Sequence, residues 1–434
     1  MYRKIGIREE DKYELERRAP LVPSDIEHLI ESHAIEFTVQ GSEKRIFSDQ
    51  AYEHAGAFIS RELRHCDLIL GVKEIPESGF EAGKAYLFFS HVIKGQAYNM
   101  PMLKALMEKK CTLIDYERVA DSEGRRLIFF GRYAGLAGMI NTLWAYGQRM
   151  KVKGHPNAFS SLKQAFFCNS LSEAKESITL AGQRWVESFR KEGNKPLVIA
   201  VTGDGNVSQG ALEIMDLMPV TRTTLPELGN TVQSGTAPLV LVNIRPGDYL
   251  RHSGLRVFDL QHYIDHPEEY HSVLETWLSQ IDIFVNGIYW DPKYPKLITK
   301  KWLKKNYGHP DFMLQVIGDI TCDVHGSVEC TEKATDIQDP VFMYDPAADS
   351  FRMGFEGDGI TVMAVDILPS ELPVESSEHF SSSLKPFITE LAACDYSAGF
   401  DQLGLPEALK RAVIVHNGEL TPSYQYLRKY LSGS

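Results

Sequence analysis

Two side chains that can move protons follow short apolar runs near the start of the chain. Lys73 ends the run 68–73, and His91 directly follows the run 85–90. Lysine and histidine are common acid/base groups in enzymes, although either one alone is more often structural. The carboxyl ends of neighbouring parallel strands share the sheet edge at which α/β proteins bind ligands. Taken together, the two runs predict that Lys73 and His91 form an acid/base pair at one edge of one sheet.

Two adjacent arginines lie upstream of this pair. Arg17 and Arg18 belong to the segment Glu16–Pro23, which follows the first apolar run of the chain. A guanidinium in that place can bind a substrate carboxylate through two parallel hydrogen bonds. An ordinary surface ion pair is the alternative that the arginines alone leave open.

A glycine-rich turn lies near the middle of the chain. The apolar run 197–202 stops at Gly203 and Gly205, and a helical pattern begins with Asn206 and Val207. A strand, a glycine turn and a helix in this order are typical of a dinucleotide-binding βαβ unit, in which the helix N-terminus faces the pyrophosphate. Ser208 stands where the third glycine of the usual fingerprint is expected, and a plain strand–loop–helix is the alternative.

The next predicted strand, 220–224, bears on the choice of cofactor. An acidic residue at its end would indicate a bond to the ribose 2′-hydroxyl of NAD, whereas this chain has Arg222 there. Arginine can accommodate a 2′-phosphate, so the sequence favours NADP(H) over NAD(H). A solvated surface charge is the simpler interpretation of Arg222.

The elements that must position these residues alternate between strand-like and helix-like patterns, which predicts mostly parallel sheets covered by helices. Ser24–Glu27 has the pattern of a capping box that opens a helix ending near His33. The small-residue segment 134–147 predicts a long helix that connects two domains. From about residue 340 the composition is typical of loops, with helices following at 378–394 and 405–414. Further segments predicted as strands are 4–8, 36–40, 112–115, 127–131, 239–243, 283–285 and 314–319, and further helices are predicted at 96–109, 172–192 and 268–280.

Composition excludes several classes of protein. The 434 residues are 43% hydrophobic and 24% charged, with a formal net charge of −12, which argues against a nucleic-acid or anionic-membrane partner. No apolar run approaches the ~20 residues of a membrane-spanning helix. The charged N-terminus lacks a secretory pattern, so we expect a cytoplasmic protein, or a mitochondrial-matrix one if a transit peptide was removed. The six cysteines show no zinc-site spacing, and we expect free, mostly buried thiols and no metal.

In this order, these motifs resemble the alanine dehydrogenase/transhydrogenase-like superfamily. Within it, the chain is most similar to the lysine–ketoglutarate reductase half of bifunctional aminoadipic semialdehyde synthases and to lysine-forming saccharopine dehydrogenases. The phrases that carry the resemblance span nearly the whole chain. They are 8–11, 16–20, 68–73, 89–96, 113–117, 134–141, 202–211, 286–290, 318–329, 366–373 and 416–418.

The resemblance implies a reaction and a set of roles. L-Lysine and 2-oxoglutarate would condense reductively to saccharopine with NAD(P)H, in a reversible step of lysine metabolism. For catalysis, the residues that match the family's functional positions are Lys73, His91 and Glu117. For substrate binding, the match is Arg18, with Arg17 as its neighbour. For the cofactor, they are Gly203, Gly205, Asn206, Val207 and Asp323, and the strand argument above adds Arg222. Glu117 would tune the lysine by its charge, and Asp323 would face the nicotinamide.

The implied architecture is α/β, with two Rossmann-like parallel-sheet domains and a cleft between them. The nucleotide domain, 141–354, is expected as an insertion into a substrate domain formed by 1–140 and 355–434. At the cofactor edge, Val324 and His325 depart from the family's pattern. Two alternatives remain open: another amino- or keto-acid dehydrogenase of the same fold, or a non-catalytic nucleotide-binding regulator. The sequence leaves the oligomeric state undetermined.

Overall fold

The computed structural model describes residues 4–193, 195–254 and 256–431. The strands of these residues are β1 (Ile5–Ile7), β2 (Phe37–Gln40), β3 (Phe58–Ser60), β4 (Leu68–Leu70), β5 (Ala85–Phe88), β6 (Thr112–Asp115), β7 (Leu197–Thr202), β8 (Thr221–Thr223), β9 (Leu239–Ile244), β10 (Leu250–His252), β11 (Tyr270–Ser272), β12 (Ile283–Asn286), β13 (Val316–Asp319), β14 (Val341–Asp345), β15 (Ser350–Met353), β16 (Ile360–Met363), β17 (Val413–His416) and β18 (Glu419–Leu420).

The α-helices of the same residues are α1 (Pro23–His33), α2 (Asp49–His54), α3 (Met100–Glu108), α4 (Gly131–Val152), α5 (Leu171–Glu192), α6 (Asn206–Met215), α7 (Leu228–Gln233), α8 (Pro246–Tyr249), α9 (Leu260–Asp265), α10 (Lys300–Asn306), α11 (Pro373–Ala393), α12 (Glu407–Lys410) and α13 (Arg428–Leu431). None of the helices in the described part of the chain is long and apolar enough to cross a membrane.

The chain divides into two compact units. Unit 1 comprises Met1–Phe130 and Pro373–Ser434, and unit 2 comprises Gly131–Leu372. Both divisions fall away from the positions expected from the sequence, after residues 140 and 354. The first expected position lies inside α4, an unbroken helix that belongs wholly to unit 2.

Unit 1 is built on an eight-stranded sheet with the order β18-β17-β6-β5-β4-β1-β2-β3. Strands β1 to β6 pair in parallel, and β17 and β18 add an antiparallel edge. Every residue of β1, β4 and β5 is buried, because helices cover both faces of a parallel sheet.

Unit 2 contains a second eight-stranded sheet with the order β15-β14-β16-β13-β12-β7-β9-β8. Strand β7 lies between β12 and β9, and β14 and β15 form an antiparallel edge. The two sheets confirm the predicted α/β class with two parallel-dominated sheets.

Helices α4 and α6 pack against each other at glycines. A Cβ on Gly135 would lie 1.9 Å from the Val207 carbonyl oxygen, and a Cβ on Gly210 would lie 2.1 Å from the Arg132 carbonyl oxygen. The small residues of α4 therefore serve a close crossing inside unit 2, whereas the sequence had suggested a connection between domains.

Several sequence-based elements were wrong. Residues 127–131 form no strand. The segment 268–280 is no α-helix: β11, which pairs with β10, is preceded by one short 3-10 helix (Pro267–Glu269) and followed by two others (Leu274–Thr276 and Leu278–Gln280). Helix α1 begins at Pro23 with Val22 as its N-cap, and no side chain caps it, so the predicted capping box is absent. In α1 the proline at the first helical position moves the helix start ahead of Ser24, and in 268–280 the pairing of β11 with β10 interrupts the helical pattern.

The loop-like composition after residue 340 also misled. Residues 341–363 contain β14, β15 and β16, which extend the second sheet, and the predicted helix 405–414 shortens to α12 before β17 begins at Val413. The cysteines agree with expectation, since all six are free and four of them are buried.

Candidate active site

Lys73 and His91 leave unit 1's sheet at the same carboxyl edge. They follow β4 and β5, which pair in parallel, and the Phe89 N–H donates to the Val72 carbonyl at 3.0 Å just beyond the paired strands. His91 has a φ of 50°, the left-handed conformation that non-glycine residues seldom adopt. The His91 side chain stays about one-third exposed, at 34%.

A buried carboxylate orients His91. Glu74 Oε1 lies 2.7 Å from His91 Nδ1 and 2.7 Å from Lys12 Nζ. Burial opposes ionisation of Glu74, but the hydrogen bond and charge of His91, together with Lys12, lower its pKa to about 2. A carboxylate can only accept, so His91 Nδ1 carries a proton and donates it to Glu74. The other ring nitrogen, Nε2, is left to exchange protons with a ligand.

Carboxylates also surround Lys73. Its backbone N–H donates to Glu10 Oε2 at 2.8 Å, and its Nζ lies 5.5 Å from the centre of the Tyr13 ring. Burial opposes ionisation of Glu16, yet the Arg18 guanidinium and the Lys73 charge lower the pKa of that carboxyl. The Lys73 ammonium is thus held near a buried anion, at a site with one aromatic wall.

Arg18 has a geometry that the sequence did not anticipate. Its Nε donates to Glu16 Oε1 at 2.7 Å and its Nη2 donates to Glu16 Oε2, so one edge of the guanidinium is already paired. The guanidinium also stacks 4.2 Å from the centre of the Phe130 ring. A ligand carboxylate can use the remaining edge, formed by Nη1 and Nη2. The neighbouring Arg17 is half-buried, and its carbonyl accepts from the Ile46 N–H at 2.9 Å.

Phenylalanines connect the arginine to the histidine. Phe89 stacks against His91 with ring centres 6.2 Å apart and lies 6.0 Å from Phe130, the ring beneath Arg18. An apolar floor therefore runs between the cation that could hold a carboxylate and the imidazole that could move a proton.

Glu117 follows β6, the strand next to β5, and pairs with Arg126. Its charge acts on Asp115, whose pKa is raised by burial first and by Glu117 second. The charge of Lys73 acts on the Glu16 carboxylate, whose pKa it helps to lower. Tuning of the lysine by Glu117 stays a prediction.

The sequence analysis did not single out Glu74, Glu16 or Lys12. Glu74 directly follows Lys73, and its chemical type signals a partner for a histidine. Only the register of β4 against β5 shows that this partner is His91.

In unit 2 the glycine turn joins β7 to α6. Gly203 has a φ of 95°, and a Cβ there would lie 2.6 Å from Ser208 Oγ, so both the backbone and the space require glycine. Ser208 is fully buried and donates to the Thr202 carbonyl at 2.7 Å. The serine therefore permits the close helix–strand approach that the third glycine of the fingerprint usually provides.

The N-terminus of α6 fits a dinucleotide pyrophosphate. Gly205 is the N-cap, no side chain caps the helix, and a Cβ on Gly205 would meet nothing within 4 Å. Asn206 is exposed and Val207 half-buried at the first turn. Uncapped N–H groups beside open space are a suitable anion site, and the residues present fit NAD(P).

A buried polar network lies at the carboxyl ends of β12 and β13. Asn286 Nδ2 donates to Asp319 Oδ1 and to Ser327 Oγ, each at 2.8 Å, and Thr331 donates to Asp319 Oδ2 at 2.5 Å. Burial raises the pKa of Asp319 to about 6, and the nearby charge of Asp323 adds to the rise. The network fixes the loop that presents Asp323.

That loop carries the two departures from the family's pattern. Val324 and His325 are both exposed, and His325 has a φ of 53°. Asp323 itself is half-buried, and its carbonyl accepts from the Gly326 N–H at 2.8 Å. The structure thus places Asp323 at a strand end of unit 2, and its role toward a nicotinamide stays a prediction.

Arg222 lies on β8, the edge strand, and pairs with Asp216. The strand next to β7 is β9, which comes later in the chain. The strand with Arg222 is the next one along the chain, as the sequence predicts, but it lies at the sheet edge, one strand away from β7. A role of Arg222 toward the cofactor stays a prediction.

A separate titratable cluster lies at β10. Ligand atoms of His252, His262 and Glu269 lie within 4.8 Å of one another. The Gly254 N–H donates to His252 Nδ1 at 2.8 Å, so His252 Nε2 carries the proton and donates to Glu269 at 2.7 Å. The Arg256 guanidinium lies 3.2 Å from His262 Nε2. These contacts favour an ion-pair network, and we assign no metal to it.

Comparisons with known proteins agree with the geometry of both units. Residues 6–137 match the family "Alanine dehydrogenase/PNT, N-terminal domain". The chain is 37% identical to "Alpha-aminoadipic semialdehyde synthase" of Arabidopsis thaliana, over 98% of this chain and 41% of that protein. It is 32% identical to "Alpha-aminoadipic semialdehyde synthase, mitochondrial" of Mus musculus, over 98% of this chain and 47% of that protein. The chain therefore spans less than half the length of these two relatives.

A third relative matches over most of its length. The chain is 27% identical to "Saccharopine dehydrogenase [NAD(+), L-lysine-forming]" of Candida glabrata, over 87% of this chain and 89% of that protein. Among solved structures, an L-alanine dehydrogenase is similar with a TM-score of 0.64 at 17% identity, covering 99% of both chains. Residues 6–137 thus correspond to an alanine dehydrogenase/PNT N-terminal domain, and the chain as a whole has the fold of an L-alanine dehydrogenase.

Proposed function

We propose that the chain is a lysine–2-oxoglutarate reductase, which condenses L-lysine with 2-oxoglutarate and reduces the product to saccharopine. The observation that carries the proposal is the placement of Lys73 and His91 at the ends of neighbouring parallel strands, close to the buried Arg18–Glu16 pair. The relatives named for saccharopine and aminoadipic semialdehyde chemistry support this choice of substrates.

Arg18 would bind a carboxylate of 2-oxoglutarate. Its Nε–Nη2 edge is held by Glu16, which fixes the guanidinium plane and leaves the Nη1–Nη2 edge for the ligand. Because the side chain is only 3% exposed, the ion pair with a ligand would form with little water nearby. Arg17, half-buried beside it, would add positive charge to the same region.

Lys73 and His91 would move the protons of condensation. Attack of the substrate ε-amine on the ketone requires loss of a proton from nitrogen, and departure of water requires a proton on the carbinolamine oxygen. His91 Nε2 can accept the first proton, since Glu74 stabilises the imidazolium through Nδ1. The Lys73 ammonium can donate the second, and its charge acts on the nearby Glu16 carboxylate, lowering the pKa of that carboxyl. Glu117, which pairs with Arg126, would add negative charge at the same sheet edge.

The turn of unit 2 would hold NAD(P)H, which when bound supplies the hydride that reduces the imine carbon. Gly203, Gly205, Asn206 and Val207 would receive the pyrophosphate at the start of α6, and Asp323 would lie toward the nicotinamide. For the cofactor we propose NADP(H) over NAD(H). Arginines, at positions 222 and 245, occur on or directly after the two strands beyond β7, where an acidic residue would favour NAD. We retain a cytoplasmic or mitochondrial-matrix location as a prediction.

Oxidation of NADPH and NADH with lysine plus 2-oxoglutarate, compared with pyruvate plus ammonia, tests the proposal. We expect turnover with the first pair. In the Lys73→Met variant, turnover should fall about 10²- to 10⁴-fold, the usual contribution of a general acid or base. Lys104→Met, which changes an exposed lysine of α3, is the matched control and should retain activity. Turnover only with pyruvate plus ammonia, or near-normal activity of Lys73→Met, would contradict the proposal.

A further inference from the structure

Sheet topology indicates which residues of unit 2 can contact the adenosine ribose of a bound dinucleotide. In Rossmann folds, the 2′ position of the adenosine ribose is contacted from the end of the strand beside the first strand. In unit 2, β7 is flanked by β9 and β12, and β9 is the flanking strand that the chain reaches first after α6. Strand β9 pairs in parallel with β7, with Thr202 opposite Ile244. The Gly203 N–H donates to the Ile244 carbonyl at 2.8 Å, which ties the glycine turn to the end of β9.

Arg245 is the first residue after β9. It is exposed and extended, with φ −91° and ψ 160°, and its N–H donates to Asp248 Oδ2 at 2.7 Å. This hydrogen bond and Pro246, whose ring limits φ, fix the backbone from which the arginine projects. Among the residues that the structure describes, no acidic side chain forms an ion pair with the Arg245 guanidinium.

The other arginines near this edge are already engaged. The Arg251 guanidinium donates to the carbonyls of Gly247, Asp248 and Leu250 at 2.8 to 3.0 Å, and so holds the turn together. Arg222 pairs with Asp216 on the edge strand, one strand farther from β7. Arg245 therefore combines an unpaired charge with the position next to the glycine turn.

We propose that Arg245 is the residue that determines cofactor specificity, by binding the 2′-phosphate of the adenosine ribose. The inference rests on the proposed dinucleotide site at Gly203 and Gly205. Guanidinium and phosphate match in charge and in the geometry of paired hydrogen bonds. The Asp248 carboxylate accepts a hydrogen bond from the Arg245 backbone N–H.

Equilibrium binding tests the assignment without catalysis. Isothermal titration calorimetry would measure NADP⁺, NAD⁺ and 2′,5′-ADP, a probe with the 2′-phosphate and no nicotinamide. In Arg245→Ser, affinity for NADP⁺ and 2′,5′-ADP should fall about 10- to 100-fold, as expected for loss of charged hydrogen bonds, with NAD⁺ affinity nearly unchanged. Arg184→Ser, at an exposed position of α5, is the matched control. Thermal unfolding would verify that each variant is folded.

The outcomes separate this inference from the function on which it rests. If Arg222→Ser lost affinity for the 2′-phosphate ligands and Arg245→Ser did not, Arg222 would be the specificity residue and the inference would fail alone. Equal loss of NADP⁺ and NAD⁺ affinity in Arg245→Ser would likewise remove its 2′-specific role. If the unaltered chain bound none of the three ligands, the dinucleotide site itself would be refuted, and with it the proposed function.

Discussion

Asp282 offers a stability test that depends on one buried carboxyl. It lies directly before β12 and is 7% exposed, and the Val198 N–H donates to its Oδ2 at 2.8 Å. Burial raises the pKa of Asp282 to about 7, although the Val198 hydrogen bond and the Lys195 charge oppose the rise. Asparagine retains the accepting oxygen and cannot ionise, so Asp282→Asn should remove the cost of a buried charge.

The magnitude follows from the two pKa values of the carboxyl. It ionises near 3.9 when unfolded and near 7 when folded, a difference of about 3 units and thus about 4 kcal/mol. Because the pKa of Asp282 is higher in the folded state, the stability that its protonated carboxyl contributes is fully present below pH 3.9. That contribution is lost as the pH rises through 7. Asp282→Asn should therefore stabilise unit 2 by up to about 4 kcal/mol at pH 8 and by about 1 to 2 kcal/mol at pH 5.

Urea unfolding at pH 5 and pH 8, followed by tryptophan fluorescence and far-UV circular dichroism, measures this difference. Asp311→Asn is the matched control, since the Asp311 side chain is 87% exposed and should change stability little at either pH. A gain in Asp282→Asn that did not grow with pH would refute the reasoning. So would a variant less stable than the parent at pH 8, because the charged form would then be the stabilising one.

Three further predictions concern the glycines and the orienting carboxylate. Gly205→Ala should leave the unfolding midpoint nearly unchanged, since a Cβ on Gly205 would meet nothing within 4 Å. The same change should weaken NADP⁺ binding in calorimetry, and an unchanged affinity would contradict a pyrophosphate at this turn. Gly135→Ala should destabilise the protein by about 3 kcal/mol or more, because its Cβ would lie 1.9 Å from the Val207 carbonyl oxygen. The measurement is urea unfolding, with Gly404→Ala as the control, since a Cβ on Gly404 would meet nothing within 4 Å. Equal unfolding midpoints for the two variants would contradict the prediction. Glu74→Gln should lower kcat about 10- to 100-fold, because the His91 imidazole would lose its charged hydrogen-bond partner. The control, Glu77→Gln, changes an exposed position of the same loop and should leave kcat unchanged. Equal kcat values for the two variants would exclude an orienting role of Glu74.

Local patterns were sufficient to predict where several residues of the candidate site lie in the fold. The apolar runs before Lys73 and His91 correctly predicted strands that end near these two residues, because buried parallel strands are continuous apolar segments. The strand, glycine turn and helix at 197–210 could also be predicted, since the backbone conformation and the space at position 203 both require glycine. These features depend on residues that are neighbours in sequence.

Features that depend on pairing between distant segments could not be predicted. The order β8-β9-β7 decides which arginine lies beside the glycine turn, and no local pattern encodes that order. The bond between Glu74 and His91, and the occupation of one Arg18 edge by Glu16, arise from register and from chain reversal. Segment 341–363 was taken for loop because its antiparallel strands are stabilised by their neighbours in the sheet.

Identification of the product tests the central claim most directly. The chain would be incubated with L-lysine, 2-oxoglutarate and NADPH deuterated at the transferable position of the nicotinamide, and the products analysed by mass spectrometry. The account predicts saccharopine with one deuterium on the carbon that was the ketone of 2-oxoglutarate. Absence of saccharopine, with oxidation of the nucleotide only when pyruvate and ammonia replace the two substrates, would contradict it.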